Sequence, residues 1–217
     1  LVVGDPLCAT THTDLIIRAR TLGITVETIH NTSVMGAAAS CGLQLYQYGY
    51  TVSIPLFEGT WRPDSFYDRI KYNRAGGMHT LCLLDIKVKE PDYSKHTGGK
   101  LVFLPPRFMT VNQAVEQLLE VETNRKEGVC KPEDYGVGMA RLGQPDQCIV
   151  YGTLEQLRTV NFGAPLHCFA LVGDAHPLEL EVLKFFEVKE EQLNTCKSLN
   201  GEGNGDESDE EPDLFNF

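Results

Sequence analysis

The sequence predicts an α/β fold in two parts: a mostly parallel sheet within residues 1–88 and a mixed α+β unit within residues 101–190. Three observations predict it. Short apolar runs alternate with helix-forming segments through residue 88, the pattern of βα units. His79-Thr80-Leu81-Cys82-Leu83-Leu84-Asp85-Ile86 is apolar enough for a strand buried on both faces. Beyond residue 100, two β-prone runs flank Gly143-Gln144-Pro145-Asp146, which reads as an antiparallel hairpin.

The elements follow in order. Leu1-Val2-Val3 empties into Gly4-Asp5-Pro6, a strand ending in a loop. Thr11-His12-Thr13-Asp14 starts a helix with Leu15, Ile16, Ala19 and Leu22 on one face, and Gly23 ends it. Ile24 to Ile29 alternates as a strand, and Asn31 or Thr32 caps a helix built on the small residues Gly36 to Gly42. Small side chains permit close approach of a backbone or a ligand. Thr51 to Pro55 is a short strand, and Trp61-Arg62-Pro63 opens a helix that stops at Gly76-Gly77. The polar stretch 89–100 reads as a linker or insertion. In the second part, Thr110…Gln113 and Thr153…Gln156 are capping boxes. Tyr135–Leu142, Gln147–Tyr151 and Leu166–Val172 are strands, and His176-Pro177-Leu178-Glu179 starts a last helix. Residues 191–217 form an acidic tail whose composition predicts disorder.

Charge and cysteine usage narrow the function classes. The net charge is −11 over 217 residues. Ten carboxylates and two lysines between Glu187 and Phe217 leave −8 there, so the other residues carry −3. No basic stripe suited to nucleic acid stands out. The seven cysteines are scattered, with no CxxC pair, which argues against a zinc finger and for a reducing, cytoplasmic setting. No run of apolar residues is long enough for a membrane span.

Few residues announce chemistry. No HExxH, GxSxG or GxxxxGK[ST] motif occurs, so nothing supports a metal site, a nucleophile elbow or a P-loop. Gly201-Glu202-Gly203-Asn204-Gly205 lies among acids that would repel phosphate and is a decoy. Asp5 and Asp85 end predicted strands, where carboxylates commonly meet ligand hydroxyls or amines; an Asx-turn or a cap is the commoner use of such residues. Thr32 and Ser33 stand at a helix N-terminus, with capping as their default role. A cleft lined by hydroxyls and backbone, without nucleophile or base, suits a transfer driven by a cofactor or a binding protein that does no chemistry.

Several motifs point further. Gly4-Asp5-Pro6, Ala9-Thr10-Thr11-His12-Thr13-Asp14-Leu15, Ile29 to Met35, Gly42-Leu43-Gln44-Leu45-Tyr46, Thr60-Trp61-Arg62-Pro63, Gly77 to Lys87, Pro105-Pro106-Arg107, Gly138 to Gly143, Pro165-Leu166-His167 and His176-Pro177-Leu178-Glu179 together resemble the diphthine synthase family. That family belongs to the tetrapyrrole-methylase class. The resemblance runs from Leu1 to about Phe186. It implies two α/β domains with S-adenosylmethionine in the cleft between them. It also implies methylation of a modified histidine on translation elongation factor two, and a possible homodimer, with no nucleic acid or membrane partner. The cofactor contacts it implies are Asp5, Cys8, Ser33, Val34, Leu84, Leu142 and His167. It identifies no catalytic residue; His12 and Asp85 are the candidates to mutate.

Two departures accompany the resemblance. Cys8 stands where the family commonly has glycine. The family's opening strand and glycine-rich loop have no counterpart here, so the chain is expected to be a fragment, poorly active alone, with an exposed sheet edge. Two rival readings remain at this point: a methyltransferase acting on a porphyrin-like ring, and a non-catalytic binder of the elongation factor.

Overall fold

A computed structural model describes residues 4–92 and 102–193. Its centre is one five-stranded mixed sheet. The strands are β1 (Val52–Ile54), β2 (Thr80–Leu84), β5 (Tyr135–Ala140), β6 (Cys148–Thr153) and β7 (His167–Leu171), in the order β1-β2-β7-β5-β6. Strands β1 and β2 are parallel, with Ser53 opposite Leu83. The β2–β7, β5–β7 and β5–β6 pairs are antiparallel. The parallel pairing expected of the first half and the antiparallel pairing expected of the second are thus both present. Because β2 pairs with β7, the sheet runs across the boundary expected at 89–100. A two-stranded ribbon, β3 (Ile86–Lys87) with β4 (Arg107–Phe108), continues from the end of β2.

The pleat divides the apolar residues between two faces. One face buries Ile54, Cys82, Ala140, Val150 and Phe169 against α3 (Phe66–Ala75), α4 (Val111–Arg125) and α5 (Leu154–Leu157). Val111, Ala114, Val115, Leu118 and Val121 form the buried stripe of α4 at helical spacing. The other face buries Leu81, Val137, Met139, Cys168 and Ala170 with Ala38, Cys41 and Leu183. The last three come from the 3₁₀ turn Ala38–Cys41 and from α6 (Pro177–Leu183). The expected small-residue helix is therefore two short pieces, α2 (Val34–Ala37) and that 3₁₀ turn. Gly42, at φ 94°, lets α6 sit against the turn: a Cβ there would lie 2.4 Å from Val182 Cγ1.

Both capping boxes read from the sequence form, Thr110 with Gln113 and Thr153 with Gln156; His176, read only as the start of the last helix, makes a third with Glu179. The expected hairpin pairs Tyr135 with Thr153 through to Ala140 with Cys148. Two elements differ. Residues 24–29 are not a strand; among the described residues no strand lies beside them to complete a ladder, and Ile24 and Ile29 are exposed. Helix α3 begins at Phe66 rather than at Trp61. Trp61 instead closes a turn with Glu58, its N–H donating to the Glu58 carbonyl at 2.7 Å. The preceding α1 (Thr13–Thr21) forms as expected, but none of its residues is buried. The expected strand at 1–3, most of the 89–100 linker and all but the first residues of the acidic tail lie outside the described residues. Among the described residues no helix is long and apolar enough to cross a membrane.

Candidate functional site

The carboxyl ends of β1 and β2 and the start of the antiparallel β7 meet at one sheet edge. A cavity of about 780 Å³ opens there, within the size range of small-molecule and cofactor sites. Its floor is Val52 to Pro55 and Leu83 to Ile86. Leu166, His167 and Cys168 close one side, Ser65 with Phe66 and Arg69 of α3 the other, and Ala9 and Val34 stand over the rest. In open α/β sheets this edge is where ligands bind, because strands end there and loops diverge.

His167 is held neutral. The Val111 N–H points at its Nδ1 (3.4 Å), so Nε2 carries the proton and donates to the carbonyls of Gly163 (3.2 Å) and Ala164 (3.1 Å). Burial pushes its pKa below the ordinary imidazole value. Its role in the wall is to fix where the 163–166 loop enters the sheet. Arg141 anchors the same loop by donating to the carbonyls of Phe162 (2.8 Å) and Ala164. Asp85 accepts the Leu56 N–H on one oxygen (3.0 Å), which ties the loop after β1 to the end of β2.

Beside the cavity, Asp5 joins two loops. Its Oδ1 accepts the Leu7 N–H (2.9 Å), and its Oδ2 meets His30 Nδ1 (2.9 Å) and the Asn31 N–H (3.2 Å). The Leu7 amide, then His30 and the Asn31 amide, hold the carboxyl well below the usual carboxylate range. The Asp5 N–H donates to the Thr32 carbonyl (2.9 Å). Both readings of Asp5 thus retain content: it closes an Asx-type turn, and that turn forms the rim next to Ala9. Ser33 caps α2, accepting the Met35 N–H at 3.1 Å, and so aims Val34 into the wall.

Of the seven residues implied as cofactor contacts, Val34, Leu84 and His167 line the cavity. Asp5 and Ser33 hold the adjoining rim. Cys8 is exposed and its side chain stays out of the cavity wall, so the departure from glycine does not fill the space. Leu142 packs beside the cluster of Val137 and Met139 instead of lining the cavity. Of the two candidates for mutation, Asp85 is in the wall, whereas His12 is engaged with the Pro6 carbonyl at 2.8 Å. Thr51, Ser53, Ser65 and Arg69 went unnoticed in the sequence. Ser65 and Arg69, four apart at the start of a helix, carry the one local signal among them.

Comparison with known proteins agrees with this architecture. Residues 1–158 match the family model of tetrapyrrole (corrin/porphyrin) methylases. The chain is 57% identical over 189 residues to the diphthine methyl ester synthase of Dictyostelium discoideum, covering 87% of this chain and 69% of that protein. It is 50% identical over 206 residues to the Homo sapiens diphthine methyl ester synthase, covering 93% and 72%. A crystal structure of diphthine synthase superposes with a TM-score of 0.68 at 28% identity, covering 89% of this chain and 66% of that one. A solved structure from Entamoeba histolytica gives 0.77 at 46% identity, with coverage of 86% and 69%. The chain belongs to the tetrapyrrole methylases, and within them to the methyltransferases of the diphthine methyl ester synthase family.

Proposed function

We propose that the cavity at the ends of β1, β2 and β7 takes S-adenosylmethionine and passes its methyl group to the diphthamide precursor, the modified histidine of translation elongation factor two. The single observation that carries this is a cofactor-sized cavity at the ligand-binding edge of the sheet, in a chain of this family. The lining fits the donor. Val34, Ile54, Phe66 and Leu84 offer apolar walls to an adenosyl group, and Thr51 and Ser53 offer hydroxyls to its polar edges. The Asp85 carboxylate gives the lining a negative group that would favour a bound sulfonium. Asp5 and Ser33 shape the rim; Cys8 flanks it. Leu142 acts, in this reading, only by supporting the sheet behind.

Bound S-adenosylmethionine brings an electrophilic methyl that needs no acid or metal for its activation. The protein's task is alignment. A carboxylate acceptor is ionised at pH 7, so ester formation requires no base. The cavity residues would only have to hold that carboxylate in line with the methyl group that bound S-adenosylmethionine would supply. Transfer to an amine requires a proton to leave first.

The test is incubation of the protein with methyl-labelled S-adenosylmethionine and elongation factor two carrying the unmethylated precursor. Label on the factor is expected. Label on an added porphyrin-like ring with none on the factor would favour the tetrapyrrole reading. A stable complex with no label would favour a binder without activity.

A further inference from the structure

The arginines of this protein fall into two groups. Arg62 is paired with Glu120 (2.8 Å), Arg107 with Glu58 and Glu90 (2.6 and 2.7 Å), and Arg125 with Glu127 (2.8 Å) and Asp68. Arg141 is surrounded by carbonyls and by Asp146. Arg69 has no carboxylate within ion-pair distance among the described residues, and it stands in the cavity wall. Arg20 is likewise unpaired, but it is exposed in the last turn of α1 and lines nothing. With His167 neutral, Arg69 is the cation of the cavity lining among the described residues.

Its position is built. Its guanidinium carbon lies 5.8 Å from the centre of the Tyr50 ring, a cation–π arrangement. Tyr50 is fixed in turn by buried Asn73, which accepts its N–H (2.8 Å) and donates to its carbonyl (2.8 Å) and to Thr80 Oγ1 (2.9 Å). The Tyr50 ring attracts the guanidinium, no hydrogen bond or ion pair among the described residues occupies its N–H groups, and those groups match a carboxylate in a two-bond fork.

We propose that Arg69 is a carboxylate-binding residue of the site, a role that rests on the methyltransferase reading above. Two carboxylates belong to that reaction: the amino-acid end of S-adenosylmethionine and the acceptor that becomes an ester. Either would otherwise enter a cavity already holding Asp85, on a protein of net charge −11, against both desolvation and repulsion. If the acceptor is the partner, one oxygen rests on Arg69 and the other faces the methyl. The product ester then carries no charge for Arg69 to hold, which favours its release.

The experiment compares the wild-type protein with Arg69→Met and Arg69→Lys. Calorimetric affinities for S-adenosylhomocysteine and for methylthioadenosine, which lacks the carboxylate, form one arm. KM for the unmethylated factor, and its affinity relative to the methyl-ester product, form the other. A loss of roughly 10- to 100-fold confined to S-adenosylhomocysteine assigns the cofactor carboxylate. The same loss confined to the acceptor, with discrimination against the ester abolished, assigns the acceptor. Partial rescue by lysine is expected in either case, and the melting temperature of this exposed site should not move. Unchanged values in both arms, with wild-type transfer intact, would overturn the proposal. Absence of transfer and of cofactor binding in the wild-type protein would instead overturn the methyltransferase reading and the proposal with it.

Discussion

Phe169, in the middle of the sheet, has no exposed surface, whereas Leu15, on α1, is 62% exposed. Both belong to apolar patterns in the sequence, yet the regions around them are held by different forces. Strands β7, β5 and β2 bury their side chains on both faces, so removing any one opens a void. Within residues 4–33 the Asp5 carboxylate ties the turn at Leu7 to His30 and Asn31, and α1 contributes no buried residue. Amphipathic spacing therefore specifies that a helix forms and which side chains share a face. Whether that face is covered depends on elements elsewhere.

Substitutions should separate the two regions, and the largest effect is expected in the sheet. Phe169→Ala should destabilise by about 3–5 kcal/mol, read by chemical denaturation. A smaller effect, and one dependent on pH, is expected at the end of α4. There Glu122 accepts the N–H groups of Gly128 (2.6 Å), Val129 (2.8 Å) and Cys130 (3.2 Å) and the Tyr67 hydroxyl. Burial works against its charge, but these donors outweigh it and bring its pKa down from 4.5 to about 2. A carboxylate depressed in the folded state stabilises above its unfolded pKa, and that contribution fades as pH falls from about 4.5 toward 2. Glu122→Gln should accordingly flatten the loss of stability across that window; an unchanged acid profile would refute the arrangement.

Smaller global effects should follow in the N-terminal segment. Asp5→Ala should raise hydrogen exchange about tenfold or more at the amides of Leu7 and Asn31, while shifting the melting temperature less than Phe169→Ala does. Leu15→Ala should fall within about 0.5 kcal/mol. A large cost at Leu15 would mean that α1 is covered in solution, and the contrast between the regions would collapse.

The same contrast explains what the sequence made legible. The capping boxes at Thr110 and Thr153 were readable because donor and acceptor lie three residues apart; at His176 only the helix start was, since histidine is not among the usual capping side chains. The β5–β6 hairpin was readable because its turn residues sit between its strands. Residues 24–29 misled, since alternation describes a strand only when a neighbour completes the ladder. Pro63 suggested a helix opening at Trp61, five residues before Phe66; the Glu58–Trp61 turn takes up Trp61 instead. The cavity was legible only in part. Asp85 stood at a recognisable strand end, and Val34, Leu84 and His167 came from resemblance. Arg69 was hidden because its meaning depends on which other arginines are paired, and the wall it joins is drawn from segments as far apart as residues 9 and 168.

The central claim is that this cavity holds the methyl donor. Calorimetric titration of the protein with S-adenosylmethionine tests it most directly, with Ser53→Trp as the paired variant. Ser53 lines the cavity from the exposed position of β1, so a tryptophan there should fill the space without disturbing the core. The account predicts saturable micromolar binding to the wild-type protein and none to a folded Ser53→Trp variant. Equal binding to both would place the donor elsewhere and contradict it.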